Sequence, residues 1–276
     1  MNAQGKPYII VLGNEKGGTG KSTLSMHLIV HLLRLGFKVG SIDIDARQGT
    51  LSRYIENRHK YIKVNDKKLP NSTHHAILRS NLPTTIDAQA EEKEKFLSCL
   101  SDLKDKDFIL IDTPGNDTFL SQLSHSYADT LITPLNDSFI DLDMLARINS
   151  ETREISGPST YSEMVWEQKK HKLLREKTQF DWIVLRNRLS SIFAKNKEEM
   201  QFLLNKLSQR IGFRLASGFG ERVIFRELFL QGLTLLDLQD VGIEMTLSHV
   251  AARQELRALL EMINLTPLIE RLQDAS

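Results

Sequence analysis

Cysteine is almost absent from this sequence, with Cys99 standing alone among 276 residues. A lone thiol excludes an internal disulfide framework, and without further ligands it cannot hold an iron–sulfur cluster. In its apolar helical stretch a buried thiol is the expectation. Long hydrophobic runs are missing too: no eighteen consecutive apolar residues occur, so no membrane-spanning helix is expected. The start, Met1-Asn-Ala-Gln-Gly-Lys-Pro7, is short and polar and lacks a signal-peptide pattern, which points to a cytoplasmic protein. Leu268 to Ser276 carries one arginine against two acidic residues, unlike a basic amphipathic membrane anchor. Charge of one sign is lacking as well, since 36 Lys and Arg face 35 Asp and Glu. Any nucleic-acid binding must therefore use a local patch. Metal-ligand clusters are sparse. His27 and His31 are four apart on a helix, but Leu28 stands where a zinc-protease motif needs glutamate. His74-His75 has no cysteine or carboxylate at ligand spacing nearby.

What is present is concentrated near the start. Tyr8-Ile-Ile-Val-Leu-Gly13 has strand composition, Asn14-Glu-Lys-Gly-Gly-Thr-Gly-Lys-Ser22 is a glycine-rich loop, and an apolar-periodic helix follows from Leu24 to Leu35. Strand, loop and helix come in the order that a phosphate-binding loop needs. Gly17, Gly18 and Gly20 let backbone N–H groups approach a phosphate, and the helix N-terminus favours anions. Lys21 supplies a point charge and Ser22 a hydroxyl for Mg²⁺. The run Gly17, Gly18, Thr19, Gly20, Lys21, Ser22 and Thr23 is thus the expected nucleotide-binding segment. It departs from the common pattern in having Glu15 where glycine is usual, and in a second lysine, Lys16.

Lys38-Val-Gly-Ser-Ile-Asp-Ile-Asp45 reads as a second buried strand. Asp43 and Asp45 lie two apart and so share a face. Asp107-Phe-Ile-Leu-Ile-Asp-Thr-Pro-Gly115 is a third strand, with Asp112 after four apolar residues, where phosphate-loop enzymes hold Mg²⁺ directly or through water. The expected metal shell is Ser22, Asp43 and Asp112. Ligands of an open parallel sheet sit beyond the carboxyl ends of its strands, where these aspartates fall.

Further strands are expected at 130–134 and 181–187, with a short one near Arg214. Helices are expected over 88–103, 197–211, 222–230 and 247–262, with a polar surface connection over 60–73. Apolar strands alternate with helical segments and no linker or repeat interrupts them. The expectation is one α/β domain over 1–276, a doubly wound, mostly parallel sheet with helices on both faces and an amphipathic helical insertion around 149–180. Between Arg186 and Arg226, lysines and arginines outnumber carboxylates nine to three. If they converge, they make a phosphate-tracking surface; the bland alternative is a solvated face with arginines in ion pairs. Lys195, Lys197, Arg210, Arg214 and Arg222 are the candidates for nucleic acid.

Lys16-Gly-Gly-Thr-Gly-Lys-Ser22, Asp43-Ile-Asp45 and Ile109-Leu-Ile-Asp-Thr-Pro-Gly115 together resemble the deviant Walker ATPases, the ParA/MinD group. Gly13-Asn-Glu-Lys16, Ile42-Asp-Ile-Asp-Ala-Arg-Gln48, Asn136-Asp-Ser-Phe139, Val184-Leu-Arg-Asn-Arg188 and Arg222-Val-Ile-Phe-Arg-Glu-Leu-Phe229 are similar to the MipZ-type division-plane positioning ATPases within it. The resemblance implies ATP and Mg²⁺ as ligands and slow ATP hydrolysis. Lys21 would neutralise the β- and γ-phosphates, and Lys16 would reach across an ATP-bound homodimer to the partner's phosphates. Asp45 would position the attacking water, which makes Lys16, Lys21 and Asp45 the catalytic set, and Asn187 would read adenine. It also implies non-specific DNA, a ParB-type protein and FtsZ as partners, and association with nucleoid and pole. A ParA-type partition ATPase is the alternative within the class. A deviant-Walker amide ligase would need further acid–base groups that the sequence does not offer.

Overall fold

A computed structural model describes residues 5–45, 48–148, 155–189 and 194–274. The chain runs β1 (Tyr8–Leu12), α1 (Lys21–Arg34), β2 (Val39–Asp43), α2 (Thr50–Asn65), β3 (Thr73–Ala76), α3 (Thr85–Asp102) and β4 (Phe108–Asp112). It continues through α4 (Phe119–Tyr127), β5 (Thr130–Asn136), the short α5 (Phe139–Leu142), β6 (Ala146–Ile148), β7 (Ile155–Pro158), α6 (Thr160–Glu176) and β8 (Asp181–Asn187). The last part holds α7 (Ala194–Leu207), β9 (Arg214–Ala216), α8 (Ile224–Gln231), α9 (Leu247–Met262) and α10 (Thr266–Asp274).

Seven strands form one parallel sheet in the order β3-β2-β4-β1-β5-β8-β9. β6 and β7 make a separate antiparallel pair. Successive side chains on a strand point to opposite faces, and this sheet uses both. Ile10 and Leu12 of β1 join Phe108, Leu110, Ile183 and Leu185 in a core beneath α1, α9 and α10. Val11 joins Ile109, Ile111, Leu131 and Val184 against Phe96, Leu120, Tyr161 and Leu204 on the other side. Ile10, Val11 and Leu12 are fully buried, each worth roughly 1.5–3 kcal/mol of transfer free energy. Helices on both faces of a parallel sheet are the expected doubly wound α/β fold.

Five helices begin at a side-chain cap. Thr84, Thr118, Ser138, Ser159 and Thr246 each accept a backbone N–H of the first turn. α1 begins differently, as does α2 after Gly49: Gly20 precedes α1 in the left-handed region, no side chain caps it, and its first turn has no acid. Its amides are left to something else.

The stretch expected as a helical insertion contains β7 and α6, with 149–154 outside the described residues. α6 connects β5 to its parallel neighbour β8 and buries Tyr161, Val165 and Lys172. The polar connection expected over 60–73 differs more. α2 continues to Asn65, where Asp66 ends it in the left-handed region, and β3 then forms the sheet edge with the polar sequence Thr-His-His-Ala. Among the described residues no helix is long and apolar enough to cross a membrane.

Candidate functional site

β1 is the central strand, with β2, β3 and β4 to one side and β5, β8 and β9 to the other. The glycine-rich loop leaves its carboxyl end, where ligands of such sheets bind. Gly18 (φ 74°) and Gly20 (φ 91°) adopt left-handed backbone that side chains disfavour. A Cβ on Gly115 would lie 2.7 Å from both Cα and N of Gly17, so the β4 turn and the loop touch backbone to backbone. Thr113 Oγ1 donates to the Leu12 carbonyl at 2.8 Å and ties that turn to β1. Behind the loop, the buried Tyr161 hydroxyl donates to the Gly13 carbonyl at 2.9 Å.

Lys21 is buried, and its Nζ donates to the carbonyls of Asn14 (3.0 Å) and Lys16 (3.1 Å). Burial lowers its pKa, opposed by the charges of Asp112 and Asp45. It is a cation held by neutral groups at the bare end of a helix, and an anion is the missing complement. The Thr19 hydroxyl is buried without a partner among the described residues, which fits a loop shaped for a ligand.

Asp43 and Asp112 lie side by side in the β2–β4 register. Asp112 accepts from Ser22 Oγ at 2.6 Å and Ser25 Oγ at 3.1 Å. Burial, with Asp43 adding to the rise, pushes its carboxyl up to about 7. A divalent cation would relieve that penalty, and Ser22 beside Asp112 is a hard-oxygen pair of the sort that holds Mg²⁺ together with phosphate oxygens. Among the described residues no group of three or more His, Cys, Asp or Glu side chains is placed to hold a metal ion. Asp43 is placed otherwise. Its Oδ2 accepts Ser52 N at 2.9 Å and Ser52 Oγ at 2.8 Å, while its Oδ1 accepts the backbone N–H of Asp45 at 2.9 Å. It thus orients Asp45, whose own pKa is raised by burial and then by Asp43.

Two partners of this cluster carry no motif. His74 sits between Ser41 Oγ (2.9 Å from Nδ1) and Ser52 Oγ (3.0 Å from Nε2). Since the Ser52 proton goes to Asp43, Nε2 must donate and Nδ1 accept, and burial keeps the ring neutral by pushing it down to about 4. Asp141 of α5, buried, forms an ion pair with Lys16 and accepts Asn136 N at 2.8 Å. The surplus lysine is therefore anchored within its own chain here.

Asn187 Nδ2 donates to the Thr19 carbonyl at 2.7 Å, and a Cβ on Gly20 would collide with it. Beside it an apolar cavity of about 290 Å³ is lined by Leu24, His27, Phe219, Phe225, Phe229 and Leu256 among others. It shares Gly20, Thr23, Thr50 and Arg188 with a larger, polar cleft of about 740 Å³ that holds Gly17, Lys21, Ser22, Asp45 and Gly115. An apolar chamber opening on a cationic cleft matches a base joined to a phosphate chain.

The basic candidates do not gather here. Arg214 pairs with Asp181, and Arg222 pairs with Glu255 at 2.6 and 2.8 Å and lines the apolar cavity. Arg210 donates to the Ile155 carbonyl at 3.3 Å. Lys195 and Lys197 lie on the first turn of α7, with side chains outside the described residues.

Fold and loop together define a phosphate-loop protein of the doubly wound α/β class. The family model for ATPase MipZ matches residues 8–267, and the chain belongs to that family. It is 32% identical over 123 residues to a putative septum site-determining protein MinD of Guillardia theta, covering 39% of this chain and 44% of that one. MinD of Synechocystis is 34% identical over 124 residues, covering 39% and 45%. The matches span less than half of these relatives. Among solved structures, an ATP complex of Cyanothece McdA superposes with a TM-score of 0.58 at 17% identity, covering 88% of this chain and 99% of that one. The Aquifex aeolicus cell division protein MinD gives 0.53 at 16%, covering 92% and 97%. At such identities they share the fold.

Proposed function

We propose that the chain is a slow, Mg²⁺-dependent ATPase that works as a dimerisation switch. The observation carrying this reading is Lys21, a buried cation whose hydrogen-bond partners are backbone carbonyls at the uncapped start of α1. In the proposed reaction the triphosphate takes over Lys21 from the carbonyls of Asn14 and Lys16, and the loop amides from Gly17 onward close on its oxygens. The base enters the cavity beside Asn187. Asp45, held at its backbone by Asp43, orients a water whose oxygen bonds to the γ-phosphorus as the bond to the β-bridging oxygen breaks. Mg²⁺, when bound by Ser22 and Asp112, supplies neutralisation of phosphate charge.

The dimer follows from Lys16. A lysine outside the Lys21 position, on the exposed side of the loop, can serve the phosphates of a facing copy once it leaves Asp141. The γ-phosphate then has a cation from each subunit, which makes ATP the glue and hydrolysis the release. Non-specific DNA, a ParB-type protein and FtsZ complete the proposal, and the family membership supports a role in positioning or partition. On DNA, Arg214 and Arg222 would exchange Asp181 and Glu255 for backbone phosphates, beside Lys195, Lys197 and Arg210.

The test is phosphate release by the wild type and Lys21→Ala, followed by gel shifts of duplex DNA and FtsZ polymerisation assays with ATP or ADP. Turnover lost in Lys21→Ala, DNA shifted only with ATP and FtsZ assembly altered support the reading. Equal phosphate release by both proteins contradicts the ATPase. A shift indifferent to nucleotide contradicts the switch, and unaltered FtsZ assembly favours partition over division control.

A further inference from the structure

One charged side chain facing the phosphate cleft belongs to none of the motifs. Arg79 follows β3 and leaves the sheet at the carboxyl ends of its strands, two residues beyond Ile77. The backbone is pinned on both sides of it. Ile77 is buried and its N–H continues the β2 pairing to the Asp43 carbonyl at 2.9 Å. Ser80 N donates to the buried Glu92 at 3.0 Å, and the Ser80 hydroxyl donates to Glu91. Arg79 between them is exposed, yet it lines the cleft that holds Lys21, Ser22 and Asp45. It makes no ion pair or hydrogen bond among the described residues.

Its place along the cleft is specific. Arg188 lines both the apolar cavity and the cleft, at the junction where a base would meet its phosphates. Arg79 lines the cleft alone, with Gly115 and Asp45. It is close enough to Asp45 for its charge to join the Lys21 charge and the Gln48 N–H in opposing the rise caused by burial and Asp43. A guanidinium offers a planar fork of donors suited to two phosphate oxygens at once, and it stays charged at any working pH.

We infer that Arg79 is a further cation of the nucleotide site, supplied in cis from the segment after β3 and directed at the γ-phosphate beside Asp45. The inference rests on the ATPase reading above. Lys21 would then serve the phosphates from the loop side and Arg79 from the sheet edge, so a single subunit would grip ATP more firmly than ADP. Arg79 would also neutralise charge that gathers on the γ-phosphoryl oxygens during transfer.

The experiment compares wild type, Arg79→Ala and Arg79→Lys for equilibrium binding of fluorescent ADP and a non-hydrolysable ATP analogue, and for single-turnover phosphate release. Thermal unfolding without nucleotide should be unchanged, because the side chain is exposed and unpaired. Arg79→Ala should bind ADP within about twofold of wild type and the analogue about tenfold more weakly, a difference of one charge-assisted contact. Single-turnover release should fall at least tenfold, with Arg79→Lys between the two. Equal weakening of ADP and the analogue would overturn the inference in favour of a general surface charge. No weakening of either would overturn it outright. If wild type binds both nucleotides but releases no phosphate, the ATPase reading fails, while the ratio of analogue to ADP affinity still decides the role of Arg79.

Discussion

Gly115→Ala tests whether the glycine-rich loop and the β4 turn are fitted to each other for a ligand. The added methyl would sit 2.7 Å from Cα and N of Gly17 and 3.1 Å from the Lys16 carbonyl carbon, where ordinary contacts begin near 3.4 Å. The neighbouring atoms are backbone, so the loop itself must retreat by several tenths of an ångström. Overpacking of this kind costs about 1–3 kcal/mol. In a chain of this size that corresponds to a fall in Tm of about 2–4 °C per kcal/mol. The displaced segment is the one proposed to meet phosphate, so nucleotide affinity should fall about 10- to 100-fold as well. Gly17→Ala is the matched control. Its Cβ meets nothing within 4 Å, so the nucleotide-free protein should melt as wild type does. Its affinity should still fall, because the methyl occupies the space a phosphate needs. The assay is thermal unfolding of both variants with and without ATP and Mg²⁺, where ligand binding appears as a concentration-dependent rise. A Gly115→Ala protein with wild-type melting and a wild-type nucleotide-induced rise would show that loop and turn are not fitted to each other.

Three further outcomes follow from other titratable groups. Asp112 has a folded-state pKa near 7, above its ordinary value of 3.8, so the folded state holds its proton more tightly and the nucleotide-free protein loses stability as pH rises from about 4 through 7. Asp112→Asn should therefore melt close to wild type at pH 4 and above it at pH 8, by on the order of 1–4 kcal/mol, while Mg²⁺-dependent turnover is lost. Asp237 is buried with Arg58 (2.7 and 3.0 Å) and accepts Arg34 at 2.7 Å and Thr234 at 2.8 Å. Asp237→Ala strands the Arg58 charge and should cost about 3–5 kcal/mol in denaturant unfolding, much of it recovered by adding Arg58→Met. His74→Ala removes the donor that holds Ser52 against Asp43. It should slow phosphate release about 3- to 30-fold with ADP binding unchanged, and His74→Gln should restore part of the rate through its amide donor.

The parts of the site that follow one another in sequence were legible. Gly17 to Ser22 carries strand, loop, cation and helix start within a few residues, and Asp112 is marked by the four apolar residues that bury β4. β3 was not legible: Thr-His-His-Ala has no apolar run, because an edge strand covered on one side needs none. That omission hid His74 and with it the chain of hydrogen bonds that aims Asp45. The hydrogen-bond partners of Asp43 are illegible for a related reason. Its spacing from Asp45 gives a shared face but not the presence of Ser52, which α2 brings to both its backbone N–H and its hydroxyl. Charge counting was the weakest guide. Arg214 and Arg222 each find a carboxylate thirty-three residues away, Asp181 and Glu255, and a local tally of basic residues cannot see partners at that distance. Lys16 stands out in the sequence as surplus charge, while its buried partner Asp141 lies 125 residues downstream.

The central claim is that ATP, and not ADP, joins two copies. The direct measurement is the mass in solution of Asp45→Ala, which should retain ATP unhydrolysed, by light scattering with Mg²⁺ and either nucleotide. The 31.5 kDa chain should double its mass with ATP and remain single with ADP, and adding Lys16→Ala should abolish the doubling while ATP still binds. A monomer under both nucleotides, in a protein shown to bind both, would contradict it.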